Sequence, residues 1–431
     1  ALLTSLLTGI IFGTIPALQL SALEVDSALR EEGRGATAGH ARIRLKSLLV
    51  IGQVALSLLL LIGAGLLLRS FGRLLHTDPG MDAHSVLTMN VSLPTIKYAK
   101  PEQQIAFFDE VLRRVSALPG VQSAATSAAL PLSSVRFTPV LPEGQPDVPL
   151  AQRPFIDIEA ISPQWFQTLR VPIRAGRSFS DADNAQAPKV IVVNETFAHS
   201  FWSSQNPIGK HVIVGRGPDP AEVVGVAADV KNRGLAQDPQ AQIYLPFPQL
   251  SWGRMNLLVR TQIPPLSMAS AVRGQISAVD PDQPVTKIQT ADELVDESRA
   301  QARFITVLLG AFSATALVLA VIGIYGVLAY SVTQRRHELG IRLALGAQRE
   351  DVLLLVLKQG LLLAFAGVAI GLIVALLLTN LMTSMLYHVG ARDLTTFALT
   401  PLIFLVIVLL ASYVPARRTT KLDPMETLRV S

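Results

Sequence analysis

The chain has 431 residues, a mean hydropathy of +0.42 and 50% hydrophobic residues, which is more apolar than an ordinary soluble globular protein. The formal net charge is +5 and there is no cysteine. Disulfides, zinc–thiolate sites and cysteine nucleophiles are therefore excluded, and the small basic excess fits a cytoplasmic membrane face better than a nucleic-acid surface.

Residues 1–20 are apolar and uncharged and read as a membrane span. Residues 21–46 form a polar linker with Arg30, Arg34, Arg42, Arg44 and Lys46. Residues 47–68 are again free of charge, and about 20 residues suffice to cross a bilayer. The basic cluster before this run places its N-terminal end in the cytoplasm, so the chain leaves the membrane on the outer side.

Residues 69–303 change character, with prolines, charges and no apolar run long enough to span. Ile105, Phe108, Val111, Leu112 and Val115 recur at helical spacing within 101–117. Runs at 190–193, 212–214, 223–227, 242–245 and 256–259 read as short strands. Residues 162–169 and 195–202 read as short helices, the first with Ser162 as N-cap and Pro163 at its first position, and 266–279 as a longer one. Strands alternating with helices predict an external, mixed α/β domain of two lobes, inserted between spans.

Residues 304–330 form the next span, uncharged for longer than a bilayer requires. A short polar segment follows at 334–347. Spans at 358–386 and 394–415 complete an expected total of five. Lys358, at the inner end of its run, is placed to snorkel to the interface. Gly367 and Gly371 form a small-xxx-small pair suited to close helix packing. Arg417, Arg418 and Lys421 hold the tail in the cytoplasm.

The segment between the two long apolar runs is the most informative stretch. Arg335, Arg336, Arg342 and Arg349 make it basic and hence cytoplasmic. Leu339, Ile341 and Leu343 interleave with Glu338 and Arg342, which form an i,i+4 pair in the favourable orientation, so a short amphipathic helix is expected. Gly340 and Gly346 leave room for another surface to approach.

The sequence QRRHELGIRLALGAQREDVL resembles the cytoplasmic coupling segment of MacB/FtsX-type ABC transporter permeases, whose pattern is roughly R-x-x-E-[IL]-G-I-R-x-A-[LV]-G-A. The match runs through Arg335, Glu338, Leu339, Gly340, Ile341, Arg342, Ala344, Leu345, Gly346 and Ala347. The order of one span, a large external domain and three further spans is similar to that family. So are ISPQWFQTLRVPIRAGRSFSDAD, VIVVNETFAHSFWSSQNPIGKHV and VVGVAADVKNRGLAQDPQAQIYLPF in the external region, where Gly176, Asn194, Pro207, Gly209 and Gly225 are expected at turns or close approaches.

The resemblance implies a non-catalytic permease subunit whose Arg335–Ala347 segment, Arg336 included, docks a cytoplasmic ABC ATPase. ATP and magnesium are expected on that partner and no cofactor on this chain. A bilayer setting, a homodimer or a pseudo-dimer with a preceding permease half, and a periplasmic partner are implied; nucleic acid is not. Pro16–Arg30 and Pro415–Arg429 share proline, alanine, two leucines and arginine in register. This makes residues 1–30 the expected end of a preceding permease half, as in duplicated permeases encoded without their own ATPase.

Several enzymatic classes find no support. There is no G-x-x-x-x-G-K-[ST] and no G-x-S-x-G, and the seven histidines have no ligand spacing. Asp157, Asp181 and Asp183 read as solvated loop or strand-edge carboxylates. The competing reading from another class is a membrane-anchored sensor or scaffold that works without an ATPase.

Overall fold

The computed structural model describes residues 35–133, 136–203, 205–334, 348–387, 389–390 and 392–419. The chain divides into two compact units, one drawn from residues up to Leu67 and from Val307 onward, the other comprising Leu68–Thr306.

The first unit is helical. It is built from α1 (Gly35–Leu75), α6 (Ala291–Gln334), α7 (Arg349–Leu378) and α8 (Leu394–Thr419), where α1 and α6 are shared with the second unit by chain continuity. Among the described residues, four stretches are long and apolar enough to cross a membrane: Ser47–Leu75, Ala291–Thr333, Gly360–Leu381 and Leu394–Tyr413. The expected span at 1–20 lies outside the described residues. Lys358 is exposed and precedes the apolar stretch that begins at Gly360.

The packing of this unit follows the helical repeat. Val54, Leu58, Ile62 and Leu66 form an i,i+4 stripe on α1, and Ala320, Ile324 and Leu328 form another on α6. Ala364, Val368 and Ala375 of α7 and Phe404 and Val408 of α8 complete one buried cluster. Hydrocarbon surrounds such helices, so close van der Waals fit and interhelical hydrogen bonds, not exclusion of water, hold them together.

The second unit is a mixed α/β domain whose strands all join one hydrogen-bonded network. Its first lobe has β1 (Val86–Ser92), α2 (Pro101–Ser116) and β2 (Val121–Ser127). It then resumes with β10 (Arg254–Thr261), α5 (Ala269–Val279) and β11 (Val285–Thr290). The order β11-β1-β10-β2 is antiparallel throughout, a split βαβ arrangement. Period-2 alternation on β1 puts Leu87, Met89 and Val91 on the helix-covered face, with Met255, Leu257 and Val259 of β10 beside them. From the helices, Phe107, Phe108, Val111 and Val115 of α2 and Val272 and Ile276 of α5 fill the same core. Burying each large side chain contributes about 1.5–3 kcal/mol.

The second lobe is inserted between β2 and β10. It comprises β3 (Arg136–Pro142), β4 (Phe155–Ile161), α3 (Trp165–Thr168), β5 (Ile173–Gly176), β6 (Val190–Asn194), α4 (Glu195–Trp202), β7 (His211–Val214), β8 (Pro220–Ala227) and β9 (Gln242–Pro246). The pairings run β4-β3-β7-β8-β6-β9 and return from β9 to β4, so six strands close on themselves, with β5 added on β8. Closure removes sheet edges. The lobe has its own core, including Ile191, Val193, Phe197, Trp202, Val212 and Ile243. The lobes join where β2 meets β4 at one residue pair, Ser127 opposite Ile161.

Three local expectations change. The helix expected over 162–169 is confined to Trp165–Thr168, and the Ser162 hydroxyl accepts the Thr126 N–H at 3.0 Å instead of capping it. Residues 265–268 form a 3-10 turn before α5. Asp157 and Asp183 are buried, not solvated: Arg233 donates to Asp157 at 2.6 and 3.0 Å, and Arg177 to Asp183 at 2.7 and 2.8 Å. Asp181 alone of the three is exposed. Gly176 and Gly225 do lie at a close approach. They sit opposite each other on β5 and β8, Gly176 has φ +71°, and a Cβ on either would fall 2.2 Å from a backbone oxygen.

Candidate functional site

The predicted coupling residues Arg335, Arg336, Glu338, Leu339, Gly340, Ile341, Arg342, Ala344, Gly346 and Ala347 lie outside the described residues. The described chain brackets them closely. α6 runs to Gln334, and α7 starts at Arg349, where the Asp351 carboxylate accepts the Gln348 N–H at 3.2 Å. This contact satisfies one of the donors left free at a helix start. Two acids in that first turn, Glu350 and Asp351, complement the positive end of the helix dipole.

Gly367 and Gly371 face α1. A Cβ at Gly367 would lie 2.5 Å from Val54 Cγ1 and 3.0 Å from the Ile51 carbonyl oxygen. At Gly371 it would lie 2.9 Å from the Ala55 oxygen and 3.1 Å from the Ala55 Cα. The pair is thus the seam along which α7 approaches α1 within this chain. Gly360, about two turns before Gly367, stands against Leu328 of α6 and Ser412 of α8.

Two serines that the sequence reading did not single out join α1 to α6. Ser57 Oγ donates to the Ala316 carbonyl and Ser313 Oγ to the Leu60 carbonyl, both at 2.8 Å. The signal available in the sequence was a small hydroxyl deep within each apolar run.

In the external domain, a cleft of about 640 Å³ lies between α2 and the 180–186 segment. Ile105, Leu112 and Phe247 supply apolar wall, and Asp109 and Asp181 supply acid. Burial, and then the nearby Asp181, hold the Asp109 carboxyl above the usual range. The lining contains no histidine or lysine; of its serines, Ser180 donates its hydroxyl to the Asp183 carboxylate at 3.2 Å, which Arg177 also holds. Among the described residues no cluster of three or more metal-ligating side chains occurs.

Glu159 of β4 is the domain's most perturbed acid. It is 7% exposed and accepts the Ala129 N–H at 2.6 Å, close to where the lobes join. Burial raises its pKa to about 8 against the opposing pull of that hydrogen bond and of Arg136. The native state therefore holds a proton that the unfolded chain releases above the ordinary value of 4.5. The external domain should lose stability as pH climbs from about 4.5 to about 8, and Glu159→Gln should flatten that slope. The three tryptophans, Trp165, Trp202 and Trp252, all lie in this domain, so urea unfolding followed by tryptophan fluorescence at several pH values reads it directly.

Comparison with known proteins assigns both parts of the chain. The MacB-like periplasmic core domain model matches residues 47–293, and the FtsX-like permease C-terminal model matches residues 310–424. A probable syringafactin export ATP-binding/permease protein of Pseudomonas syringae pv. tomato is 29% identical over 296 residues, covering 63% of this chain and 42% of that protein. A macrolide export ATP-binding/permease protein MacB of Hahella chejuensis is 27% identical over 288 residues, covering 63% and 43%. The chain thus spans less than half the length of these relatives. Among solved structures, the periplasmic region of MacB from Actinobacillus actinomycetemcomitans aligns with a TM-score of 0.36 and 14% identity, over 52% of this chain and 97% of that one. With the first of the two models covering more than half of its residues, the chain belongs to the MacB-like, FtsX-like permease family, as an inner-membrane protein with a transmembrane helical part and a periplasmic α/β domain.

Proposed function

We propose that this chain is a non-catalytic permease subunit. It couples ATP hydrolysis on a separate cytoplasmic ATPase to movement of its periplasmic domain, for export or for force transmission to a periplasmic partner. The segment Arg335–Ala347 is the docking surface, with Glu338 and Arg342 holding its helix and Gly340 and Gly346 admitting the partner. ATP and magnesium belong to that partner. Two permease halves, identical or duplicated, work together.

The observation that carries this reading is α6. It is one uninterrupted helix of 44 residues, beginning directly after β11 of the periplasmic domain and ending at Gln334, where the coupling segment starts. At 1.5 Å per residue it is about 66 Å long, well beyond the ~30 Å hydrocarbon core. Closure of a bound ATPase against 335–347 displaces the end of a continuous rod, and the displacement is a rigid-body switch biased by nucleotide. The family match and the relatives named for export support the same reading.

The test is reconstitution in lipid with candidate MacB-type ATPases from the same genome. Binding, together with a change in nucleotide turnover, is the expected result. No binding by any of them would favour a sensor or scaffold.

A further inference from the structure

α1 and α6 are the two helices through which the chain enters and leaves the periplasmic domain. Inside the apolar unit they are held by two hydrogen bonds of opposite direction. Ser57 of α1 donates across to Ala316, and Ser313 of α6 donates back to Leu60, at 2.8 Å each. Both residues are buried, at 1% and 2% exposure.

Each hydroxyl also has an acceptor on its own helix. Ser57 Oγ is 2.7 Å from the Gln53 carbonyl oxygen, and Ser313 Oγ is 2.7 Å from that of Leu309. A serine hydroxyl carries one proton. Each serine therefore divides that proton between its own helix and its neighbour. In hydrocarbon a donor without an acceptor is costly, and this cost normally fixes an interhelical hydrogen bond in place. Here the cost is absent, because when the interhelical bond opens, the i−4 carbonyl is already in position to take the proton.

The surrounding contacts suit a seam of this kind. The stripes Val54, Leu58, Ile62 on α1 and Ala320, Ile324, Leu328 on α6 attract by dispersion, which has no direction and sets register weakly. Further along the same seam, Gly323 approaches Gln53 so closely that a Cβ there would lie 2.7 Å from Gln53 Oε1. The hydroxyls are directional and supply the register that the stripes do not.

We propose that Ser57 and Ser313 form a reversible clasp. It fixes the register of α1 against α6 in one state and opens, without stranding a donor, in the other state that the ATPase cycle selects. The two serines are positioning residues for the stroke. This inference rests on the coupling function proposed above.

The experiment uses the full protein with its ATPase in lipid nanodiscs. The chain has no cysteine, so Leu56→Cys and Val318→Cys, both on exposed apolar positions, take spin labels selectively on α1 and α6. Label-to-label distances are measured without nucleotide and with a non-hydrolysable ATP analogue. ATPase turnover is followed on the same samples. The background with both serines should give a narrow distribution that shifts with nucleotide. Ser57→Ala/Ser313→Ala should give a broad distribution that no longer shifts, and Ser57→Thr/Ser313→Thr, which keeps the hydroxyls, should restore the narrow one. Single Ser57→Ala serves if the double variant fails to give a cooperative thermal denaturation in lipid. A double or single alanine variant as narrow and as responsive as the background overturns the clasp. Stimulated turnover with no change in distance in the background also overturns the clasp, while leaving the coupling function standing. Absence of any ATPase binding instead removes the coupling function itself, and the opening of the clasp with it.

Discussion

Arg260→Leu should destabilise the periplasmic domain by about 3–5 kcal/mol, the cost typical of breaking a buried charged network by removing one member. Arg260, on β10, is 4% exposed. Its guanidinium donates to the Thr168 carbonyl at 2.7 Å, the His84 carbonyl at 2.8 Å and the Asp82 carbonyl at 2.6 Å, and to the Asp82 carboxylate at 3.3 Å. Three backbone acceptors in two segments, 82–84 and Thr168, lose a donor at once when it is truncated. Arg260→Lys should recover little, since one ammonium on a flexible stem cannot reproduce the planar fork that reaches all of them. Asp82→Ala should cost less, because Arg260 keeps its three carbonyl acceptors, although its buried charge loses the carboxylate that neutralises it. Urea unfolding by tryptophan fluorescence gives this ordering. An Arg260→Leu midpoint equal to wild type would show that the network is incidental.

Gly371→Leu and Gly367→Leu are expected to be among the most damaging single changes in the membrane unit. At Gly371 the nearest atoms to a new Cβ are the Ala55 oxygen and Cα, which are backbone and cannot rotate away. At Gly367 the nearest atoms are Val54 Cγ1 at 2.5 Å and Val54 Cβ at 2.6 Å, and the Cβ, fixed to the backbone, cannot rotate away either. Overpacking of this kind costs about 1–3 kcal/mol where the neighbours yield and more where they do not. Separating α7 from α1 also breaks the shared cluster around Val54, Leu58 and Val368. Thermal denaturation in lipid or detergent should give lower midpoints for Gly371→Leu and Gly367→Leu than for wild type, with Gly371→Ala between them and wild type. Equal midpoints for all four would mean that α7 does not pack on α1 through these glycines.

What the sequence disclosed and what it withheld divide along physical lines. Apolar runs long enough to span declare themselves by composition alone, and strands rich in Val and Ile, such as 190–194 and 223–227, by β-branching. The strand at Val121–Ser127, Val-Gln-Ser-Ala-Ala-Thr-Ser, did not, because small residues carry little strand signal; it lies in the sheet between β10 and β4. β4 alternates apolar and acidic residues, a pattern that normally puts acids in solvent. Asp157 and Glu159 are buried instead, the first because Arg233 reaches it from 76 residues away and the second beside the Ala129 N–H. Neither partner is visible locally.

The same holds in the membrane unit. The spacing of Gly367 and Gly371 was legible, but the surface they meet, Ile51 to Leu58, lies on a helix more than 300 residues earlier. Ser57 and Ser313 look like incidental polar residues until the structure sets each against the other's helix. Residues 335–347 are the reverse case: their pattern is the strongest signal in the sequence, and they lie outside the described residues.

The measurement that tests the account most directly is therefore nucleotide turnover by the partner ATPase in lipid, with the wild-type chain and with Glu338→Ala/Arg342→Ala. The double variant removes the i,i+4 pair and leaves the apolar and glycine positions in place. Wild type is expected to bind the ATPase and change its turnover, while the variant, with a thermal denaturation midpoint in lipid equal to that of wild type, leaves turnover at the level of the ATPase alone. A variant indistinguishable from wild type would contradict this, and residues 335–347 would then be an ordinary basic loop at the membrane face.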